Sequence, residues 1–345
     1  MTSRRASAVA SRLAASVVAA LLLAGCTGPA PEPAASPPPI STVSPGPTVA
    51  PAPTTSLNDE GFATSGWTLR TDVLNPFYDR IQVDVDITEI DDSGLALYRE
   101  QATGKVLPHP IVNAQYAMAA LLRWEETGDD IWLTRAIRNA QELVDTHVER
   151  DGAWWFQYDW DWTYLDRTLT APWWSGMAQG EALTVFSRLA AIQPENPQWR
   201  QAADRTVESF FQRGEGNTEP WATVVDNGYL WFEEYAGDQP PLLVMNGHVF
   251  AIFGLYEYWL LSGDQRVATY IDGGATAILT AMPLIRGGEG AVSYYCTQRD
   301  YCRRVEWQNA TYHPIHIQQL HALGRITGAP EFDEWAALLE SDWQG

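Results

Sequence analysis

Residues 246–279, NGHVFAIFGLYEYWLLSGDQRVATYIDGGATAIL, contain the pattern that predicts the fold. Apolar side chains recur at helical spacing on both sides of a short polar turn, Ser262-Gly263-Asp264. Glycine commonly follows the last turn of a helix because it adopts the left-handed conformation, and aspartate commonly precedes a helix by accepting from free backbone N–H groups. The stretch therefore predicts a helical hairpin, with helices at residues 246–261 and 265–279.

The same pattern of helix, turn and helix occurs four times along the chain. In the first copy the predicted helices span residues 111–126 and 131–148. The four turns are TGD at 127–129, PEN at 194–196, SGD at 262–264 and TGAP at 327–330. Equivalent positions are separated by 67, 68 and 66 residues, and these positions are Asp129, Asn196, Asp264 and Pro330. So regular a repeat of hairpins predicts a mainly α fold, an incomplete (α/α) toroid.

Aromatic, β-prone segments follow the second helix in each of the first three repeats. These segments are AWWFQY at 153–158, YLWFEEY at 229–235 and AVSYY at 291–295. Because they occupy equivalent places in the repeat, we expect them to lie together as short β-inserts at one mouth of the toroid. Their side chains are the first candidates for a functional cleft.

The N-terminal region has the composition of an export signal followed by a tether. Basic residues precede an apolar run at 14–23, which ends in Leu23-Ala24-Gly25-Cys26. This pattern predicts a lipoprotein signal peptide at 1–25 and lipidation of Cys26, with an ordinary secretory signal as the alternative. Residues 26–56 are mainly Pro, Ala, Ser and Thr and predict an extended tether. The predicted location is therefore extracytoplasmic, on a bacterial membrane through the lipid.

The rest of the chain is divided into a lead-in at 57–108 and a catalytic domain at 109–345. Alternating residues at 81–87 predict a strand, and Asp91-Asp92-Ser93-Gly94 predicts a turn, so the lead-in is expected to be rich in β-structure.

The formal net charge is −21, from 22 basic and 43 acidic residues. A balance this acidic argues against nucleic acid as a partner and against binding to anionic membranes by charge. An anionic polymer would need a local basic cluster. The best one contains Arg286, Arg299, Arg303 and Arg304.

Two cysteines remain after Cys26. Cys296 and Cys302 predict a local disulfide, because an exported chain meets an oxidising environment. A metal pair is the weaker alternative, since no second Cys/His cluster occurs at ligand spacing, and we predict no metal site.

Four stretches, in order, resemble the C-terminal domain of heparosan and heparan sulfate glucuronyl C5-epimerases. The similarity covers residues 113–343. The stretches are WWSGMAQG at 173–180, WFEEY at 231–235, NG at 246–247 with GLY at 254–256, and YH at 312–313 with HI at 316–317 and QL at 319–320. The resemblance implies conversion of D-glucuronate to L-iduronate residues within an anionic polysaccharide, without a cofactor. A homodimer is left open.

The resemblance also implies the catalytic residues. It places the family's glutamate on Glu234 and one tyrosine on Tyr312. The second tyrosine of the family falls on Ser293, so we assign its role to Tyr294, which keeps the 18-residue interval to Tyr312. The arginine expected three residues later is Thr297, and Arg299 or Arg303 is expected to bind the substrate carboxylate instead.

Further residues are expected to bind the sugar. Tyr235 and His313 belong to the matched motifs, although a histidine there is also typical of a helix cap or a core. Gln179 and Asn246 either bind sugar hydroxyls or cross-link helices. Glu233 is expected to point to solvent, because neighbouring strand residues alternate between faces.

Two other functions remain open from the sequence. A polysaccharide lyase begins with the same proton abstraction, and a hydrolase would pair Glu234 with Asp159 or Asp161. A non-catalytic glycan-binding lipoprotein is the second alternative, suggested by Ser293 and Thr297.

Overall fold

Four helical hairpins form the framework, as the sequence predicts. The computed structural model describes residues 54–343 except 78–82, 102, 165, 215, 305–307 and 309, so the predicted signal peptide and most of the predicted tether lie outside the described residues. The helices of the hairpins are α1 (Pro110–Thr127) with α2 (Asp130–Thr146), α3 (Gly176–Ile192) with α4 (Pro197–Val207), α5 (Met245–Ser262) with α6 (Gln265–Ile285), and, after the short α7 (Arg299–Cys302), α8 (Tyr312–Thr327) with α9 (Pro330–Asp342).

The turns have the local chemistry that the repeat predicts. Gly263 adopts φ +71° after the end of α5, and its N–H bonds to the Trp259 carbonyl. The Asp264 side chain then accepts from the Arg266 N–H and caps α6. Asp129 and Asn196 cap α2 and α4 in the same way, so three of the four equivalent repeat positions are helix N-caps.

One helix of each hairpin belongs to an inner row. α1 packs on α3, α3 on α5, and α5 on α8, while α2, α4, α6 and α9 each pack outside their own partners. The α3–α5 contact is very close, because a Cβ atom on Gly254 would lie 2.0 Å from the Gly180 carbonyl oxygen. Among the described residues α8 does not pack extensively on α1, so the (α/α) toroid is incomplete.

The lead-in crosses from the later hairpins to the first one. Near its start, Asp272 of α6 accepts three consecutive backbone N–H groups, from Ser65, Gly66 and Trp67. Farther along, Phe77 stacks on Phe250 of α5 with ring centroids 5.6 Å apart. The lead-in then reaches α1 and α2, where Asp86 pairs with Arg123 and the Ala96 N–H donates to Asn139. It therefore joins elements that the helices alone leave apart.

The predicted strand at 81–87 is wrong for its described part. Residues 85–87 form turns, because the Asp84 side chain accepts from the Asp86 N–H and the Asp84 carbonyl accepts from Thr88. The predicted turn at 91–94 is confirmed by Asp91, whose side chain accepts from the N–H groups of Ser93 and Leu95.

Short antiparallel hairpins make up the β-structure. They are β1 (Ser56–Leu57) with β2 (Ala63–Thr64), β3 (Tyr98–Arg99) with β4 (Val106–Leu107), β5 (Val148–Arg150) with β6 (Ala153–Trp155), β7 (Trp162–Tyr164) with β8 (Arg167–Leu169), and β9 (Thr223–Asp226) with β10 (Tyr229–Phe232). Two of the three aromatic inserts thus contain strands. The third, at 291–295, contains no strand, and within the described residues the bridge beside it joins Val244 and Cys296.

Within the described part of the chain, no helix is both long enough and apolar enough to cross a membrane.

Candidate active site

The second and third inserts and the start of α8 bring a carboxyl group and three tyrosines together beside the start of α5. The Tyr295 hydroxyl donates to Oε1 of Glu234 over 3.2 Å, and the hydroxyls of Tyr235 and Tyr295 lie 2.9 Å apart. The Tyr312 ring, at the first residue of α8, lies 4.6 Å from the Tyr295 ring, centroid to centroid. Three of these four residues, Glu234, Tyr235 and Tyr312, are among those named from the sequence.

Glu234 is held against the N-terminal turn of α5. It follows β10 by two residues and is buried, and its Oε2 makes no hydrogen bond of normal geometry. Gly247 leaves the space for the carboxyl group, since a Cβ there would lie 2.2 Å from Oε2. Burial raises the pKa of Glu234 to about 7, although hydrogen bonds from Tyr235, Tyr295 and the Gly247 backbone oppose the shift. A carboxyl group that titrates near neutrality is suited to taking and returning a proton.

Glu233 has a different role from its neighbour. The expectation that Glu233 faces solvent is wrong, because it is fully buried. Its two oxygens accept from the N–H groups of Tyr235 and Leu243. Burial raises the pKa of Glu233, while these two N–H groups and the charge of Arg167 oppose the shift. Glu233 therefore ties the segment after β10 to the segment before α5.

The tyrosine hydroxyls are neutral donors in this arrangement. Burial, and then the charge of Glu234, raise the pKa of both Tyr235 and Tyr295 well above 10. The Tyr295 hydroxyl donates to Glu234 and lies 2.9 Å from the Tyr235 hydroxyl, which also interacts with Glu234, so the three groups form one hydrogen-bonded cluster. Trp162 of β7 stacks on the Tyr235 ring at 4.5 Å and fixes its orientation.

Tyr294, which was assigned from the 18-residue interval, lies on the other side of the extended segment. Its ring is covered by the Arg303 guanidinium at 3.7 Å, and no described contact joins it to Glu234. Ser293 and Tyr295 are buried, whereas Tyr294 between them is only partly buried, so the side chain that shares a side of the segment with Ser293 is Tyr295. Sequence reasoning missed Tyr295. The alternation rule, applied to the position where the resemblance expects a tyrosine, would have selected it.

Two of the predicted sugar-binding residues are used by the protein itself. Gln179 accepts from the Phe156 N–H and donates to the Trp154 carbonyl and the Ser209 hydroxyl. His313 accepts from the Ser293 N–H at Nδ1 and donates to the Leu339 carbonyl at Nε2. Burial lowers the pKa of His313, so the ring is neutral. Both side chains cross-link elements around the site.

Asn246 remains a candidate ligand for the sugar. It is buried at the start of α5, one residue from Gly247, and its backbone carbonyl accepts from Gln319 of α8. The side-chain oxygens of Asn246 and Gln319 are both buried and have no hydrogen-bond partner. Such acceptors suit hydroxyl donors.

A basic rim lies beside the cluster. Cys296 and Cys302 form a disulfide, and the loop it closes is followed by Arg303, which donates to the Leu284 carbonyl, and Arg304, which pairs with Asp166 at 2.7 Å. The side chain of Arg299 lies outside the described residues. Arg167 of β8 joins this rim, because its guanidinium and that of Arg304 each lie 5.6 Å from the Tyr301 ring. Sequence reasoning did not name Arg167.

In the described part of the chain, no three His, Cys, Asp or Glu side chains are arranged to hold a metal ion. Asp159 and Asp161, the predicted partners of Glu234 in a hydrolase, are exposed at the rim, where Asp159 accepts from Gln157 and Asp161 from the Ala171 N–H.

Known structures give limited similarities. D-mannose isomerase is 13% identical over 79% of this chain and 70% of its own, with a TM-score of 0.49. An α-mannanase of glycoside hydrolase family 76 from Bacteroides thetaiotaomicron is 10% identical over 65% of this chain, with a TM-score of 0.43. A mannosidase of the same family and organism is 12% identical over 74%, with a TM-score of 0.41. This chain spans 55% and 61% of those two hydrolases.

A sequence model described as D-glucuronyl C5-epimerase C-terminus matches residues 149–341. The match begins after the first helical hairpin, covers more than half of the chain, and includes every residue of the buried cluster. The chain therefore belongs to the D-glucuronyl C5-epimerase C-terminal family and contains a domain of the carbohydrate epimerase type.

Proposed function

We propose that this protein epimerises glucuronate residues at C5 within a polysaccharide, giving iduronate. The observation that carries the proposal is the hydrogen bond between the Tyr295 hydroxyl and a buried Glu234 whose pKa lies near 7. Family membership supports the reaction type. The choice of glucuronate in a polymer rests on the resemblance and on the side chains of the site.

The reaction needs a group that removes a proton from carbon and a donor on the opposite face. The C5–H bond breaks, its electron pair moves into the adjacent carboxylate to give an enolate-like species, and a proton then forms the new C5–H bond. Glu234 is the group proposed to take the first proton. Near neutral pH about half of the Glu234 carboxyl groups are ionised. The ionised form is then both basic enough to take a proton and present in a large fraction of molecules.

Tyr312 is proposed to deliver the second proton, from the opposite face. It begins α8, whereas Glu234 follows β10, so the two groups approach the cluster from different repeats. Tyr295 lies between them, bonded to one and in ring contact with the other. After turnover, Glu234 holds a proton and Tyr312 lacks one, and the Tyr295 hydroxyl provides a route by which the proton returns.

Recognition of the sugar is proposed to use the residues around this pair. Tyr235, stacked on Trp162, presents a flat aromatic face of the kind that packs on pyranose rings. Asn246 offers a buried acceptor to a sugar hydroxyl. The arginine rim provides the only basic cluster named from the sequence of this acidic protein, and it suits an anionic polymer.

The proposed location is the outer side of a bacterial membrane, through a lipid on Cys26. An unsulfated capsular or cell-surface glucuronate polymer is the substrate that this location favours. Replacing Cys26→Ala should move the protein from the membrane fraction to the soluble fraction of expressing cells, and unchanged membrane association of C26A would contradict the anchor.

Incubation with heparosan in deuterated water tests the reaction. Deuterium at C5 together with iduronate signals in the NMR spectrum is the expected result. Chain ends that absorb in the ultraviolet would mean a lyase, and new saturated reducing ends would mean a hydrolase. Binding of heparosan with no chemical change would mean a non-catalytic glycan-binding protein. Each of these three outcomes contradicts the epimerase.

A further inference from the structure

Arg167 is a buried cation whose donors are only partly used. Its side chain is 2% exposed, and Nη2 donates to the Pro240 carbonyl over 2.5 Å. Nε and Nη1 are also buried, and neither makes a hydrogen bond of normal geometry to the protein. A buried donor without an acceptor costs free energy, and a charged one costs more. Two buried guanidinium nitrogens therefore lack a hydrogen bond of normal geometry, although the Tyr301 side chain interacts with the guanidinium and opposes the lowering of the Arg167 pKa.

The hairpin of β7 and β8 directs Arg167 toward the tyrosine cluster. The pairs Trp162 with Leu169 and Tyr164 with Arg167 lie on one face of this hairpin. Thr163 and Thr168 lie on the other face, where their hydroxyls are 2.9 Å apart. Because Trp162 stacks on Tyr235, the inner face carries both an aromatic ring and a guanidinium to the same region.

Arg167 also lies beside the segment that Thr297 contacts. The Thr297 N–H donates to the Leu243 carbonyl, and the Leu243 N–H donates to Glu233. Arg167 is bonded three residues earlier, at Pro240, and is attracted by the charge of Glu233. Thr297 stands where the resemblance expects an arginine. The guanidinium of Arg167, which belongs to another repeat, lies along residues 240–243, the segment that Thr297 contacts.

We propose that Arg167 binds the carboxylate of the uronate residue that is epimerised. This inference rests on the proposed function and names the residue that recognises the acidic group. Nε and Nη1 lie on different edges of the planar guanidinium, so each offers a separate charged N–H donor, and a hydrogen bond from either one to a carboxylate oxygen is strengthened by the opposite charges. The same contact holds the negative charge that moves onto the carboxylate when the C5 proton leaves.

The carboxylate is proposed to reach Arg167 past the Tyr301 loop and the pair between Asp166 and Arg304. The Tyr301 ring lies 5.6 Å from the Arg167 guanidinium, in the loop that the disulfide closes. The pair between Asp166 and Arg304 joins this loop to the β7–β8 hairpin, and it is exposed. Exposed ion pairs contribute little stability, so the pair between Asp166 and Arg304 can break at a small cost in free energy. Burial lowers the pKa of Arg167, and the charge of an arriving anion would offset this desolvation cost.

The test compares two ligands on the purified full-length protein. One is a heparosan hexasaccharide, and the other is the same hexasaccharide with its carboxyl groups reduced to alcohols. Calorimetric titration should show that the wild type binds the carboxylate form more tightly. Arg167→Gln should lose this preference, with affinity for the acidic ligand falling on the order of 10- to 100-fold and affinity for the reduced ligand unchanged. Arg167→Lys should keep part of the preference.

The control is Arg188→Gln, which removes a partly buried arginine that pairs with Glu257 between α3 and α5. It should lower the melting temperature and keep the carboxylate preference. The inference is overturned if R167Q keeps the wild-type preference, if it weakens both ligands equally, or if the wild type has no preference. Deuterium exchange is measured separately. Exchange in the wild type together with an intact preference in R167Q would overturn only the role of Arg167. If R167Q loses the carboxylate preference but the wild type shows no deuterium exchange, only the proposed epimerase activity is overturned.

Discussion

The Tyr295 hydroxyl donates a hydrogen bond to Oε1 of Glu234 over 3.2 Å. The two residues are 61 positions apart and belong to the second and third inserts, so the contact exists only because adjacent repeats pack side by side. It also places a tyrosine that was not named from the sequence next to the carboxyl group that was.

The neighbouring tyrosines give a matched pair of variants. Tyr295→Phe removes the hydroxyl that donates to Glu234 and contacts the Tyr235 hydroxyl, and we expect deuterium exchange at C5 to fall on the order of 100-fold or more. Tyr294→Phe should retain near wild-type exchange, because its ring packs under Arg303. Circular dichroism would confirm that both variants are folded. If Y295F keeps full deuterium exchange and Y294F loses it, the catalytic role returns to Tyr294, as the 18-residue interval to Tyr312 suggested.

The pKa of Glu234 predicts a pH dependence of the rate. Glu234 must be ionised to take the C5 proton, so kcat/KM should rise with pH and level off above about 7. Glu234→Gln should abolish exchange at every pH. A rate that is flat between pH 5 and 8 would show that another group takes the proton.

The raised pKa of Glu234 also predicts that the stability of the protein falls as the pH rises, whereas the rate increases. The folded pKa of Glu234 lies above the unfolded value of 4.5, so its protonated form favours folding. The stabilisation is fully present below pH 4.5. It is lost as the pH rises through about 7, and the free energy of unfolding then falls by about 3 kcal/mol. Glu234→Gln, which stays neutral, should therefore unfold at a higher temperature than the wild type at pH 8 and at a similar one at pH 5. Equal melting temperatures at both pH values would contradict the raised pKa.

Two glycine substitutions distinguish an effect on activity at the candidate site from an effect on the stability of the helix packing. In Gly247→Ala the new Cβ would lie 2.2 Å from Glu234 Oε2, so the carboxyl group must move, and exchange should fall about 100-fold. In Gly254→Ala the new Cβ would lie 2.0 Å from the Gly180 backbone oxygen, and the α3–α5 contact must open at a cost of about 1–3 kcal/mol. Chemical denaturation and exchange assays on both variants test this. The expectation fails if G247A keeps its activity or if G254A keeps its stability.

Phe77 tests whether the lead-in belongs to the folded core. It is 4% exposed, stacks on Phe250 and meets Phe253 edge to face. Phe77→Ala should lower the free energy of unfolding by about 3–5 kcal/mol. Leu74→Ala, three residues away and 79% exposed, is the control and should change it by less than about 0.5 kcal/mol. A small effect of F77A would mean that the lead-in is not docked as described.

Local sequence determined the helical hairpins. Helical periodicity, a glycine that adopts the left-handed conformation and an aspartate that caps the next helix act within a few residues, so Gly263 and Asp264 mark the third turn without knowledge of the rest of the chain. The repeat interval then indicated the toroid. Glu234 and Tyr312 could be named as candidates because their motifs are contiguous in sequence.

Only the tertiary structure decided the partners of these residues. The choice between Tyr294 and Tyr295 depends on which side of an extended segment faces Glu234, and a one-residue shift reverses that side. Gln179 and His313 became cross-links because backbone groups from distant elements use their hydrogen-bonding atoms. Arg167 comes beside the segment contacted by Thr297 through packing of β8 against residues 240–243, which are more than 70 positions away in sequence. Such contacts depend on how separate repeats pack, and no local pattern encodes that packing.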